Sequence, residues 1–213
     1  MALKKKMQET NFEVNTMLES VYERVKGMIL KPVENFRLAV NDTISFTLVY
    51  YFILLAVFGT LFSLSLSSFG LFMLYNTNTI VAIITMLGQM VVSLFLGAVW
   101  LHVWVYIFGG RQGIKNTLKV VAYSMTPTLL VGWLVPVGMI VGFVWYLALE
   151  VIGVRELQQL STKRAILAVA LPIIVGLIII VIILILTNPD FLPALMGNSA
   201  STQSRSSHSP YYY

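Results

Sequence analysis

One stretch of the chain, residues 165–186, contains no charged side chain and consists almost entirely of aliphatic residues. A helix of this length spans the ~30 Å hydrocarbon core of a bilayer. Similar stretches lie at about 43–67 and 79–108. Hydrophobic residues make up 58% of the chain and charged residues 11%, whereas soluble domains have about 45–50% and about 25%. The sequence therefore predicts an integral membrane protein and excludes a water-soluble enzyme or a nucleic-acid-binding module.

The apolar stretch between residues 116 and 153 is too long for one span and barely long enough for two. Gly132 and Pro136 interrupt it, and glycine with proline commonly marks a turn. We interpret it as two short spans, at about 116–133 and 135–153, joined by a tight hairpin. The predicted total is then five transmembrane helices.

The basic residues support this count. If the N-terminus is cytosolic, 13 of the 14 lysines and arginines fall in cytosolic segments, and only Arg205 is external. Basic residues favour cytosolic loops. A single span over 116–153 would instead place Arg155, Lys163 and Arg164 outside.

The predicted fold class is therefore all-α, with a five-helix transmembrane domain at 42–187. A cytosolic segment at 1–41 precedes this domain, and a Ser-rich external tail at 188–213 follows it. The tail is predicted to be disordered. If the chain is prokaryotic, we expect it in the plasma membrane, with its C-terminus external.

The N-terminal segment has apolar residues at helical spacing, namely Val14, Leu18, Val21, Val25 and Met28. Pro32 should end or kink this helix or begin another. We expect an amphipathic helix lying at the membrane interface or on the protein's own helices. A coiled-coil or partner-binding helix is the alternative, and two to three heptads are too few to establish it. Asn41, Asp42 and Thr43 resemble a helix N-cap before the first span.

Ionisable residues at membrane depth are functional candidates. His102, Lys119 and Glu150 all fall in the cytosolic third of the predicted bilayer, and Tyr123 lies one turn after Lys119. These four residues form a candidate intramembrane polar cluster. The structural alternative is that Lys119 snorkels to the interface, Glu150 pairs with Arg155, and His102 hydrogen-bonds a neighbouring helix.

Signatures of catalysis are missing from the sequence. There is no cysteine, no G-x-S-x-G, no Walker A loop and no dinucleotide fingerprint. We predict that the chain is not an enzyme and has no catalytic, cofactor-binding or metal-binding residues. Gly138 and Gly142 form a G-x-x-x-G motif, which predicts close helix packing.

Two sequence segments make the chain recognisable. GGRQGIKNTLKVVAYSMTPTLLVGWLVP starts at Gly109, and VWYLALEVIGVRELQQLSTKRA starts at Val144. With His102 before them, these segments resemble the Yip (Ypt/Rab-interacting protein) family of five-span membrane proteins. The chain lacks the long N-terminal domain and the Asp-Leu-Tyr-Gly-Pro motif of eukaryotic members, so it resembles the shorter prokaryotic ones.

The resemblance implies a membrane adaptor rather than a catalyst, since eukaryotic members are associated with Rab-type GTPases and vesicle traffic. Rab binding is not carried over to this chain. We expect an adaptor or membrane organiser with a cytosolic partner surface, formed by the N-terminal helix and two loops. The candidate loop residues are Gly109, Gly110, Arg111, Arg155, Glu156, Lys163 and Arg164.

The alternative function is a transporter, channel or lipid-handling protein that uses the polar cluster. The expected partner is the lipid bilayer, with a cytosolic protein or a second copy of the chain as open alternatives. No nucleic-acid partner is expected.

Overall fold

The computed structural model describes residues 2–68 and 79–188 of the chain. Within these ranges the protein is helical, without strands, and its eight α-helices are α1 (Ala2–Leu30), α2 (Pro32–Ala39), α3 (Ile44–Ser68), α4 (Thr79–Ile107), α5 (Ile114–Ser124), α6 (Thr126–Val131), α7 (Val137–Leu157) and α8 (Thr162–Thr187). The all-α prediction is confirmed. Residues 69–78, and the predicted tail at 188–213 apart from its first residue, lie outside the described residues.

Four helices in the described residues are long and apolar enough to cross a membrane. Their apolar segments are Ile44–Ser65, Ile83–Ile107, Val137–Leu157 and Thr162–Thr187. Many large apolar side chains on them are exposed, such as Leu96 and Ile140, each 64% exposed. Lipid tails accept such faces without cost. The chain is therefore an integral membrane protein that contacts the bilayer.

The predicted span at 116–133 is not one helix, because Met125 separates α5 from α6. Pro127 has no N–H to donate to the carbonyl of Tyr123, four residues earlier. The Thr126 hydroxyl donates to that carbonyl instead, at 2.6 Å. Neither short helix has the length of a span, so five crossings stay a prediction.

The hairpin between α6 and α7 is closed by two glycines of α7. A Cβ atom at Gly142 would lie 2.9 Å from Cα of Thr128, and one at Gly138 would lie 1.9 Å from the carbonyl oxygen of Val131. Thr128 also donates a hydrogen bond of 3.0 Å to the Gly142 carbonyl. The G-x-x-x-G face thus packs within the chain, against α6.

The core lies where α5 meets α3, α4 and α7. Every residue of α5 from Lys119 to Ser124 is buried. On another side, the fully buried Phe36 of α2 packs against α7. A Cβ at Gly153 would lie only 2.8 Å from the Phe36 ring, so a larger residue at this position would push α2 away from α7.

Among the side chains of α1 that the structure describes, residues 12–30, the buried ones lie in the second half of the helix. Val21 is 5% exposed and Met28 is fully buried, whereas Val14 and Leu18 are each about half exposed. Pro32 occupies the first position of α2. The predicted apolar stripe therefore contacts the protein only toward the end of α1.

The chain divides into two compact units, residues 1–172 and 173–213. The first unit contains the helices from α1 to α7 and the beginning of α8, whose Ala165, Ala168 and Pro172 are buried. The described part of the second unit is the rest of α8, where Leu177 and Ile180 are more than half exposed.

Candidate functional site

Asp42, in the connection between α2 and α3, joins three helices. Its Oδ1 accepts a hydrogen bond of 2.7 Å from Nη2 of Arg24 in α1, and its Oδ2 accepts one of 2.5 Å from the Tyr123 hydroxyl in α5. The Arg24 and Asp42 side chains are each 13% exposed. Thr43, the next residue, caps α3 by accepting the backbone N–H of Phe46 at 3.1 Å. Because Thr43 caps α3, the Asp42 carboxylate does not act as the cap. It instead joins α1 and α5 at the start of α3.

Arg24 is held by more than its ion pair. Its Nη1 donates to the backbone carbonyl of Asn35 at 3.0 Å. Its guanidinium carbon lies 5.6 Å from the centroid of the Tyr123 ring, within the range of a cation–π contact. The three contacts fix the second half of α1 against α2 and α5.

The polar network continues from Tyr123 into the bundle. The rings of Tyr50 and Tyr123 meet edge to face with centroids 5.0 Å apart. The Tyr50 hydroxyl lies 2.7 Å from the Thr126 hydroxyl, and both side chains are fully buried. Because the single proton of Thr126 goes to the Tyr123 carbonyl, Tyr50 donates and Thr126 accepts.

Lys119 is 5% exposed, and its Nζ donates to the carbonyl of Val40 at 2.8 Å. Val40 is the C-cap of α2, and a cation is favourable at the C-terminal end of a helix. Lys119 therefore lies beside the same connection that Asp42 occupies.

The four residues of the predicted polar cluster have separate hydrogen-bond partners. Lys119 and Tyr123 bond to neighbouring residues of the α2–α3 connection. His102 Nδ1 lies 2.8 Å from the Thr117 hydroxyl, and Glu150 accepts a hydrogen bond of 2.6 Å from the Tyr146 hydroxyl in its own helix. The structure thus joins Lys119 and Tyr123 to one site and gives His102 and Glu150 other partners.

Gln158 connects the two predicted cytosolic loops. Its Oε1 accepts the backbone N–H of Gln112 at 3.1 Å. Its Nε2 donates to the Gly113 carbonyl and to the Thr117 hydroxyl, each at 3.0 Å. The side chain is 2% exposed. The loops after α4 and after α7 are therefore one connected surface, and we name residues 109–115 with 155–164 the joined loops. Four of the predicted loop residues lie in the adjoining helix ends, Arg155 and Glu156 in α7 and Lys163 and Arg164 in α8, because both helices extend further than the sequence predicted.

The seven predicted loop residues divide into two groups in the joined loops. Arg111, Lys163 and Arg164 are exposed. The other four have structural roles. Gly109 has a positive φ of +99°, Gly110 packs against Val105, and Arg155 and Glu156 are bonded to each other. The first group is open to a partner, although Arg111 also donates to the Tyr106 carbonyl at 2.6 Å and lies over the Tyr106 ring.

Glu156 also bonds to α2, since its Oε2 accepts from Nε of Arg37 at 2.8 Å. This hydrogen bond and the charge of Glu156 raise the pKa of the Arg37 guanidinium above its usual value. Glu156 thus links the joined loops to α2 while its other oxygen binds Arg155 at 2.7 Å.

Sequence reasoning missed the roles of Asp42 and Gln158. One signal for Asp42 was present, because it is the only acidic residue between Glu34 and Glu150. A glutamine in a loop carries no comparable signal. Among the described residues, no group of three or more His, Asp or Glu side chains is arranged to hold a metal ion.

A family model described as the Yip1 domain matches residues 26–183 of the chain. Asp42, Tyr123 and Gln158 lie inside this range, and Arg24 lies two residues before it. Comparisons with curated proteins and with solved structures find no match.

Proposed function

Because the chain belongs to the Yip1 domain family, we propose that it is a non-catalytic multi-pass membrane adaptor whose partner surface is the joined loops. The observation that carries this proposal is Gln158, a buried residue of the loop after α7 whose side chain bonds to the loop after α4. A surface that is fixed before binding loses less conformational entropy when a partner docks.

The chemistry of this surface suits an acidic protein partner. Arg111, Lys163 and Arg164 are exposed, and a cationic patch steers an acidic partner to the correct encounter. Arg164 also lies close to the other loop, because a Cβ at Gly109 would be 3.5 Å from its Nη1. The cations thus come from both loops of one surface.

The proposal includes five crossings with the N-terminus cytosolic and the C-terminus external. The helices α5 and α6 together would make the third crossing. A proline is tolerated in a membrane helix where a Ser or Thr hydroxyl satisfies the freed carbonyl, and Thr126 has that role for Tyr123. The first half of α1, with exposed Phe12 and Leu18, would lie at the membrane interface.

In this proposal His102, Lys119 and Tyr123 hold helices together, Glu150 bonds within α7, and the four residues do not form a transport path. Each has a hydrogen-bond partner inside the protein. Ion or lipid flux through the pure protein in liposomes, lost in Glu150→Gln, would favour the transporter, channel or lipid-handling alternative.

Photocrosslinking in native membranes tests the adaptor function. A photoreactive amino acid at Arg111 or Lys163 should give one discrete adduct with a soluble protein, identified by mass spectrometry. The control is the same probe at Ile140, which is 64% exposed on an apolar helix and should give no such adduct. Gln158→Leu should reduce the adduct, and crosslinks equal at all three positions would contradict the proposal.

Reporter fusions test the topology. A reporter after Tyr213 should be external, and one inserted in the loop between Arg155 and Arg164 should be cytosolic. Two reporters on the same side of the membrane would exclude the five-crossing arrangement.

A further inference from the structure

A cleft of about 700 Å³ lies between α1, α2 and the first turn of α3. Its wall combines basic, amide and apolar side chains, which include Arg24, Lys26, Lys31, Asn35 and Phe46, with two acidic ones, Glu23 and Asp42. The joined loops contribute no residue to this wall. The cleft is therefore a separate site from the partner surface proposed above.

Two of the three cations in the cleft are available to a ligand. Arg24 is bonded to Asp42 at 2.7 Å and is mostly buried. Lys26 lies 4.0 Å from Glu23, and Lys31 lies 3.6 Å from Glu34, with all four side chains more than half exposed. Exposed pairs of this kind contribute little. Both ammonium groups can therefore turn to a phosphate at small cost.

An apolar groove continues from the cleft. It has a volume of about 350 Å³ and is lined by Phe12, Met17 and Phe46 together with Glu13, Thr16 and Ser20. Ser20 and Phe46 belong to the walls of both cavities. A basic cleft that opens into an apolar groove matches a ligand with an anionic head and a hydrocarbon chain.

The position along α3 identifies the source of such a ligand. The apolar span of α3 begins at Ile44, and Phe46 is in its first turn. The cleft thus lies where α3 leaves the polar headgroup layer and enters the hydrocarbon core. Phospholipid headgroups are present at that depth, whereas a soluble peptide would have to leave water to fill the groove.

We propose that this cleft binds an anionic phospholipid of the leaflet in which α3 begins. The phosphate lies between Lys26 and Lys31, with the Asn35 amide at the same wall. One acyl chain follows Phe46, Met17 and Phe12 beneath α1. The lipid then covers the exposed apolar side chains in the first half of α1.

Native mass spectrometry of the purified full-length protein in detergent tests this proposal with phosphatidylglycerol and phosphatidylcholine as probes. Wild type should bind phosphatidylglycerol more tightly. Lys26→Gln with Lys31→Gln should weaken phosphatidylglycerol binding by about 10-fold and leave phosphatidylcholine binding unchanged. Lys163→Gln with Arg164→Gln removes the same charge elsewhere and should bind as wild type. Both cleft lysines are exposed, so their substitution leaves the fold intact.

A second arm tests the apolar groove. Phe46→Ala should weaken binding of long-chain phosphatidylglycerol more than binding of its dihexanoyl form. Equal binding of the two lipids by wild type, or wild-type affinity in the lysine variant, would overturn the proposal. Full displacement of the lipid by equimolar inorganic phosphate would assign the cleft to a free anion. Binding of hexaglutamate that depends on both lysines, without selective lipid binding, would assign it to an acidic peptide.

Discussion

The Tyr123 hydroxyl donates a hydrogen bond of 2.5 Å to the Asp42 carboxylate across 81 positions of the sequence. The same carboxylate holds Arg24 of α1. One acidic residue thus holds α1 and α5 at the start of α3. Disturbing this carboxylate should affect three helices at once.

Asp42→Asn should lower the free energy of unfolding by about 2 kcal/mol, because it leaves the mostly buried Arg24 without an anion. SDS titration of the purified protein, followed by the fluorescence of its four tryptophans, measures the change. Glu23→Gln is the matched control, since the Glu23 side chain is 62% exposed, and it should have little effect.

A double variant separates loss of the pair from the cost of an unpaired charge. Arg24→Met combined with Asp42→Asn should lose less stability than the sum of the single variants. Additive losses would mean that the two residues act independently, contrary to the 2.7 Å contact between them.

Thr126→Val should destabilise the protein by about 1 kcal/mol, because the Tyr123 carbonyl loses its donor and the Tyr50 hydroxyl loses its acceptor. Thr126→Ser retains the hydroxyl and should stay close to wild type. The same SDS titration compares the two variants. A loss in Thr126→Ser without one in Thr126→Val would mean that the methyl group, not the hydroxyl, matters at this position.

Gln158→Leu should separate the joined loops, because it removes the acceptor for Gln112 N–H and the donor to Gly113. The chain has no native cysteine, so spin labels at Arg111→Cys and Lys163→Cys report one distance by pulsed EPR. The distance distribution should broaden in Gln158→Leu. Gln159→Leu is the comparison, since it removes only the exposed hydrogen bond of 3.1 Å from Gln112 Nε2 to Gln159 Oε1 and should broaden the distribution less. An equal effect of both variants would contradict the role of Gln158.

Gly142→Ala should destabilise the bundle by about 1–3 kcal/mol, because the new Cβ would lie 2.9 Å from the Thr128 backbone. Gly176→Ala makes the same change where nothing lies within 4 Å of the new Cβ and should cause no loss. Thermal unfolding of both proteins in one detergent provides the comparison. A loss confined to Gly176→Ala would exclude the described packing of α7 on α6.

Periodicity and charge predicted much of the fold, since long uncharged stretches leave few alternatives to membrane helices. The break at Met125 could not be predicted with the same ease. Its signal is Pro127, but proline occurs inside α8 as well, at Pro172, where the helix continues. What differs is the local packing around each proline, which the sequence does not display.

The polar contacts were less predictable than the helices. Lys119 and Tyr123 are four residues apart in one helix, and both bond to the α2–α3 connection. The sequence could not show that Asp42 does not cap α3, because its carboxylate bonds instead to Arg24, which α1 brings close only in the folded protein. Gln158 likewise gains its role only when two distant loops meet.

The hydrogen bonds that the connection between α2 and α3 makes to other helices fix its length. Val40 accepts Lys119, Asp42 accepts Arg24 and Tyr123, and Thr43 caps α3. Inserting or deleting one residue here would move these acceptors out of register with three helices. A stretch of chain that looks like an ordinary linker is therefore intolerant of insertions and deletions, although several of its side chains are exposed to solvent.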